Sequence, residues 1–319
     1  MRVLITGAAG FIGANVTAEL VRRQHEVTLL TRRTTDLWRL DQLPTSTLTI
    51  IPGDLASARD VHRAVTRASP ECIIHCATRG AYPLQTDLLD IAMTDVIGFA
   101  NLLTSAAAIN CPHLINTGSS SEYGTLSAGP RESSPVSPNS VYSASKAWAT
   151  CIGQQALQSC GQVVTTLRLY SVYGFLEDPS RLVPRICAYG LRGTLPPLAS
   201  PTIVRDFVWI GDVVEAYRRV VELGPPASCE VYNVGSGRET RLDEVAAVAS
   251  RVFGIAEQPN WNTYPPRAWE TGRWFADTRK IQHAFGWSAG VDLTDGLTYM
   301  RDWLRHDRAM LSRYVRAAQ

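Results

Sequence analysis

The feature that most restricts the fold is an alternation. Short apolar runs at Val3 to Thr6, Val27 to Thr31, Leu48 to Ile51, Cys72 to Ala77, His113 to Thr117 and Val163 to Leu169 read as strands. Stretches of helical periodicity lie among them, at Phe11 to Arg23, Ala58 to Ala68, Asp87 to Ile109 and Pro138 to Ser159. Strands that alternate with helices run parallel, so the expected fold class is α/β, with a doubly wound parallel sheet. Beyond Gly174 the texture changes. Prolines and glycines crowd Pro179 to Pro201, Arg205 to Leu223 reads as a strand and a helix, and Glu230 to Gly235 as a late strand. The remainder reads as helices around an aromatic loop, Trp261 to Trp274. The expected organisation is a sheet domain, 1–173 plus 205–235, and a smaller, mainly helical domain, 174–204 plus 236–319.

The chain has 319 residues, enough for a sizeable core and, at roughly 150 residues per domain, for about two domains. The formal net charge is only +2 and the arginines are scattered among acids, so nucleic acid is not an expected partner. No uninterrupted apolar run approaches the roughly 18 residues that span a bilayer, and no membrane partner is expected. The apolar start runs straight into Gly7, Gly10 and Gly13, which reads as a buried strand and not a signal peptide. Seven cysteines, an odd number without a Cys-x-x-Cys pair, read as free buried thiols of a cytoplasmic protein. Cys72 and Cys76 flank His75, but their apolar neighbours point to packing, and no metal is assigned.

Two local patterns carry chemistry. The strand ending at Thr6 enters Gly7-Ala8-Ala9-Gly10-Phe11-Ile12-Gly13 and then a helix. Glycines let a backbone approach a pyrophosphate, and the helix N-terminus faces the anion. The second pattern rests on composition. Of 31 basic residues only Lys146 and Lys280 are lysine, which leaves 29 arginines, so a retained lysine points to a task that guanidinium does not serve. Lys146 follows Tyr142 by four residues, which puts both side chains on one helix face. A phenol that exchanges protons near neutrality needs its anion stabilised by roughly 4 kcal/mol. One ammonium at about 5 Å supplies roughly 3 kcal/mol at an effective dielectric of about 20. Tyr142 is therefore the candidate general acid/base and Lys146 its tuning partner.

With these patterns together the chain resembles the extended short-chain dehydrogenase/reductase family, Rossmann-fold proteins whose members mostly act on nucleotide sugars. The resemblance runs nearly the whole length. It takes in Gly53-Asp54-Leu55, His75-Cys76-Ala77, Ser119 to Gly124, Tyr142 to Lys146, Arg168 to Gly174 and Arg205-Asp206-Phe207. It implies that Asp54 and Leu55 contact the adenine of NAD(P), that Ala77 lines the cofactor's path, and that Lys146 also holds the nicotinamide ribose. Where an acid would take a ribose 2′-hydroxyl after the second strand, the chain has Thr31, Arg32, Arg33 and Thr34. Two arginines suit a 2′-phosphate, so NADP is the expected cofactor and NAD the alternative.

Counting back from Tyr123-Gly124 as the family does selects Ser119 as the third catalytic residue, with Ser120 and Ser121 as alternatives and Ser120 and Ser171 beside the substrate. Nucleotide-sugar 4,6-dehydratases place acids at the positions of Ser120 and Ser121, and the cysteine of 3,5-epimerising reductases would fall at Ser121. This chain has neither. Two arginines, Arg205 and Arg267, fall where the family grips the substrate diphosphate. Departures are Ser171 and Asp95, each in place of an Asn, and Leu198 to Thr202 in place of glycines. The expected activity is reduction of a nucleotide 4-ketosugar, the alternative a nucleotide-sugar 4-epimerase, with a 4,6-dehydratase and a non-catalytic NADP-sensing scaffold as lesser alternatives, and the resemblance implies a homodimer.

Overall fold

The computed structural model describes residues 1–44, 47–82, 85–125, 129–263 and 273–317. Seven strands form one parallel sheet: β1 (Arg2–Thr6), β2 (Glu26–Thr31), β3 (Leu48–Pro52), β4 (Cys72–His75), β5 (His113–Ser119), β6 (Val164–Leu169) and β10 (Glu230–Val234). Their order is β10-β6-β5-β4-β1-β2-β3, with the chain reversing direction of growth between β3 and β4. Side chains alternate faces along a strand, and β1 shows what that does here. Val3 and Ile5 enter one core with Val16 and Leu20 of α1 (Phe11–Arg22) and Val213 and Val220 of α7 (Ile210–Leu223). Leu4 enters the opposite core. There it meets Val61 of α2 (Ala58–Ala68), Phe99 and Leu102 of α4 (Gly98–Ala108) and Ala149 of α5 (Val141–Cys160). Both faces are covered, as the continuous apolar strands require.

A third core joins Tyr173 and Trp209 with helices α6 (Leu182–Gly190), α8 (Leu242–Phe253), α10 (Leu293–His306) and α11 (Arg308–Ala317). Two small pairings form separate two-stranded sheets. The short β7 (Ser171–Tyr173) runs parallel to β9 (Phe207–Trp209), and β8 (Val204–Arg205) runs antiparallel to β11 (Thr240–Arg241). Helix α9 (Arg279–Phe285) returns to the first core through Ile281.

Three expectations change. The helix anticipated over Asp87 to Ile109 is α3 (Leu88–Ile91), a turn of π-helix at Ala92–Ile97, and then α4. By length and apolarity the whole stretch Leu88–Ala108 meets the dimensions of a membrane crossing, with mean hydropathy 1.4 over its most apolar window. Its polar groups bond inside the protein: Asn101 Nδ2 donates to the Leu55 carbonyl at 2.9 Å, and Asp95 is only 3% exposed. The helix expected from Pro138 begins at Val141, where Ser140 accepts from the Ser143 N–H at 3.1 Å and serves as the cap. Finally, the cysteines are all free but not all buried, since Cys151 and Cys160 lie exposed on α5.

Candidate active site at the carboxyl ends of the strands

Among the described residues, most of those singled out by sequence follow the carboxyl ends of the parallel strands. Gly7 follows β1 with φ 71°, a conformation that favours glycine. A Cβ there would lie 2.3 Å from the Ala77 nitrogen, so the first turn presses on the exit of β4. The Gly10 N–H donates to the Gly7 carbonyl at 2.9 Å, and a Cβ on Gly13 would lie 2.2 Å from that same carbonyl. Helix α1 starts at Gly10 with no side-chain cap, which leaves the N–H groups of its first turn, Phe11 and Ile12 among them, without that partner. An uncapped helix start behind a glycine turn fits an anionic diphosphate. Past β2, Arg32 and Arg33 are exposed, and among the described residues neither side chain makes a hydrogen bond or ion pair. Past β3, Asp54 is exposed with one carboxylate oxygen accepting from the Ala56 N–H at 2.9 Å. Leu55 packs against Gly98 of α4, where a Cβ would come within 2.9 Å of its own.

Ser119 ends β5 two residues later than expected, in register with Leu169 of β6. Its hydroxyl lies 2.8 Å from the Ser121 hydroxyl, while Ser120 is buried. Glu122 is fully buried. One of its oxygens accepts from the Ser119 N–H at 2.8 Å and the other from Arg168 Nε at 2.8 Å, a pair whose arginine side chain is only 4% exposed. That carboxylate is committed to holding the Ser119 turn.

On α5 the Lys146 ammonium lies 6.0 Å from the centre of the half-buried Tyr142 ring. Lys146 is 4% exposed and donates to the Thr117 carbonyl at 2.9 Å, so β5 anchors the ammonium that the helix carries. An ammonium has three donors, and this bond uses one. The Thr117 hydroxyl in turn lies 2.6 Å from the Tyr217 hydroxyl and donates to Cys76 Sγ at 3.3 Å. His75 is buried against Thr6, its Nδ1 2.7 Å from the hydroxyl. Burial, with the nearby Lys146 charge, pushes its pKa down to about 3, so the imidazole is neutral.

Towards the third core, the Arg205 guanidinium lies 5.2 Å from the Trp274 ring centre and donates to the Val204 carbonyl at 2.8 Å. Ser171 opens β7 and donates its N–H to the Asp206 carbonyl at 2.9 Å. Arg267, and Trp269 beside it, lie outside the described residues. Sequence reasoning overlooked Asp206. Its buried carboxylate accepts from the N–H groups of Ser236, Gly237 and Ala276 at 2.6, 2.9 and 3.0 Å, and this fixes the strand that carries Arg205. The Arg-Asp-aromatic pattern contained that residue, but only its arginine had drawn a role. Asp95, Tyr217 and the pairing of Glu122 with Arg168 were likewise out of reach, because these partners stand far away in sequence. Among the described residues no three His, Cys, Asp or Glu side chains cluster to hold a metal ion.

Comparison with known proteins agrees with this fold. Residues 3–235 match the model of the NAD dependent epimerase/dehydratase family. A trifunctional UDP-glucose 4,6-dehydratase/UDP-4-keto-6-deoxy-D-glucose 3,5-epimerase/UDP-4-keto-L-rhamnose-reductase of Arabidopsis thaliana is 27% identical over 94% of this chain. The chain spans 46% of that relative's length. A dTDP-glucose 4,6-dehydratase of Streptomyces antibioticus is 28% identical, with 97% of this chain and 94% of the relative covered. The structure of a UDP-glucose 4-epimerase from Thermus thermophilus in complex with NAD is 28% identical and superposes with TM-score 0.84, covering 96% of this chain and 99% of that one. With its seven-stranded parallel sheet, its glycine turn and a family match across most of its length, the chain belongs to the NAD dependent epimerase/dehydratase family, of the extended short-chain dehydrogenase/reductase type.

Proposed function

We propose that the protein is an NADP-linked oxidoreductase that reduces the 4-keto group of a nucleotide-diphosphate sugar. The observation that carries this reading is the buried Lys146 ammonium, tied to the Thr117 carbonyl and set one helical turn from Tyr142. Gly7, Gly10, Phe11, Ile12 and Gly13 would hold the cofactor diphosphate, Asp54 and Leu55 the adenine, Ala77 the path between, and Arg32 and Arg33 the 2′-phosphate. The bound cofactor supplies the hydride. Tyr142 gives its phenolic proton to the ketone oxygen as that oxygen becomes a hydroxyl, Ser119 donates a hydrogen bond to the same oxygen, and Lys146 stabilises the phenolate left behind. Arg205 and Arg267 would grip the substrate diphosphate, with Ser120 and Ser171 beside the sugar. In this reading 1–173 plus 205–235 bind the cofactor, and 174–204 plus 236–319 bind the substrate.

Dehydration is disfavoured by the same geometry. Ser120 and Ser121 offer no carboxylate, and the neighbouring Glu122 is held by Arg168 and the Ser119 N–H. A second reading is a nucleotide-sugar 4-epimerase with tightly held NAD, favoured by the likeness to an NAD-bound 4-epimerase over nearly the whole chain. Incubating the purified protein with NADPH and a panel of nucleotide 4-ketosugars separates them. The expected result is stoichiometric NADPH oxidation with formation of the alcohol. Interconversion of intact nucleotide sugars without net oxidation would replace the reductase reading by the epimerase. In either assay Lys146→Arg keeps the charge but cannot fit the compact ammonium's place, and turnover is expected to fall by about 100-fold or more. Wild-type turnover in that variant would remove Lys146 from the mechanism.

We further propose a homodimer. Leu88, Leu89, Met93 and Ile97 on the 88–108 stretch and Val141 on α5 are 37–69% exposed, an apolar surface on adjacent helices that a second copy would cover.

A further inference from the structure

We infer that Asp95 is a positioning residue for the nicotinamide end of the cofactor site: its carboxylate clamps the chain leaving β4 onto the helix that carries Tyr142 and Lys146. The inference rests on the cofactor reading above. Asp95 lies in the π-helical turn Ala92–Ile97, where a local widening of the helix re-aims a side chain. It is 3% exposed, and among the described residues no basic group lies within ion-pairing distance. Its three bonds instead join two separate segments. Oδ1 accepts from the Arg79 N–H at 2.8 Å, and Oδ2 accepts from the Thr78 hydroxyl at 3.0 Å and the Ser145 hydroxyl at 2.8 Å.

Thr78 and Arg79 directly follow Ala77, which packs under the glycine turn, and Ser145 directly precedes Lys146. One residue further on, Gly80 has φ 86°, and a Cβ there would lie 3.5 Å from Tyr142 Cβ. The clamp therefore closes beside the phenol. In the cofactor reading the nicotinamide would sit next to Tyr142, whereas the residues that would hold the adenosine end, Arg32, Arg33, Asp54 and Leu55, follow β2 and β3. Loosening the clamp should be felt at one end of the cofactor and not at the other.

The test is a binding measurement that needs no sugar substrate. NADPH is compared with 2′-phospho-ADP-ribose, the same molecule without nicotinamide, on the wild type, Asp95→Ala and Asp95→Asn at a temperature where all three are folded. Asp95→Ala strands buried donors, and the expected result is an about tenfold weaker NADPH complex with 2′-phospho-ADP-ribose affinity unchanged. Asp95→Asn should restore NADPH binding, because its carbonyl still accepts from Arg79 and its amide can donate to the two hydroxyls. A role in stability alone would weaken both ligands together or neither, and either outcome overturns the inference. A wild type that bound neither ligand would instead overturn the cofactor reading on which it stands.

Discussion

At Glu177 a single carboxyl sets part of the pH response of the whole chain. It is 7% exposed, among the described residues its Oε2 has no hydrogen-bond partner, and burial pushes its pKa up to about 8. The folded protein thus carries it protonated, while an unfolded chain ionises it near the ordinary carboxylate value of about 4.3. A group raised in this way contributes stability that is fully present below the unfolded value and is lost as pH rises through the folded one. The window here runs from about pH 4.5 to pH 8. Glu177→Gln removes the titration, so its melting temperature relative to wild type should climb from pH 5 to pH 8 by several degrees, on the order of 3 kcal/mol. An offset equal at both pH values, read by calorimetry, would mean that Glu177 is ionised in the fold. Nothing in Phe175-Leu176-Glu177-Asp178 announces burial, because the cover comes from α11, whose Tyr314 donates to the Glu177 carbonyl at 2.7 Å. Tyr142 and Lys146 were legible for the opposite reason. Their relation is a four-residue spacing, and helix geometry alone puts them on one face.

Among the elements, those read correctly are those whose signal is local. The turn from β1 to α1 is the clearest case, and its glycines are needed for two distinct reasons: a positive φ at Gly7, and close approach at Gly7 and Gly13. Gly7→Ala should weaken NADPH binding by more than about tenfold, since the left-handed strain of about 1 kcal/mol is joined by a backbone clash at Ala77. Gly193 separates the two effects, with φ 83° but nothing within 4 Å of its Cβ. Gly193→Ala should lower stability by about 1 kcal/mol and leave cofactor affinity unchanged. Equal losses of affinity in both variants, by titration calorimetry, would discard the close-approach argument. The π-helical turn that aims Asp95 escaped the sequence reading because its residues keep an apolar periodicity like that of the surrounding helix. Its backbone hydrogen-bond pattern, and the bonds that Asp95 makes from it to Thr78, Arg79 and Ser145, show only in the folded chain.

For the whole molecule, the exposed apolar surface across Leu88–Ala108 and α5 bears on assembly. Leu89 is 69% exposed, so Leu89→Glu should leave the fold intact while shifting light-scattering mass from dimer to monomer. A wild type that is monomeric at micromolar concentration would overturn the proposed dimer. Sequence by itself determined the parallel α/β class, the glycine turn and the Tyr142–Lys146 pair, because each depends on spacings of a few residues that backbone geometry converts directly into shape. Tertiary structure alone decided which groups hold those parts in place. Glu122 meets Arg168 across 46 residues, Asp95 meets Ser145 across 50 and Thr117 meets Tyr217 across 100. Such partners are chosen by the order of strands in the sheet and by the requirement that buried polar groups find one another, and neither leaves a periodic trace along the chain.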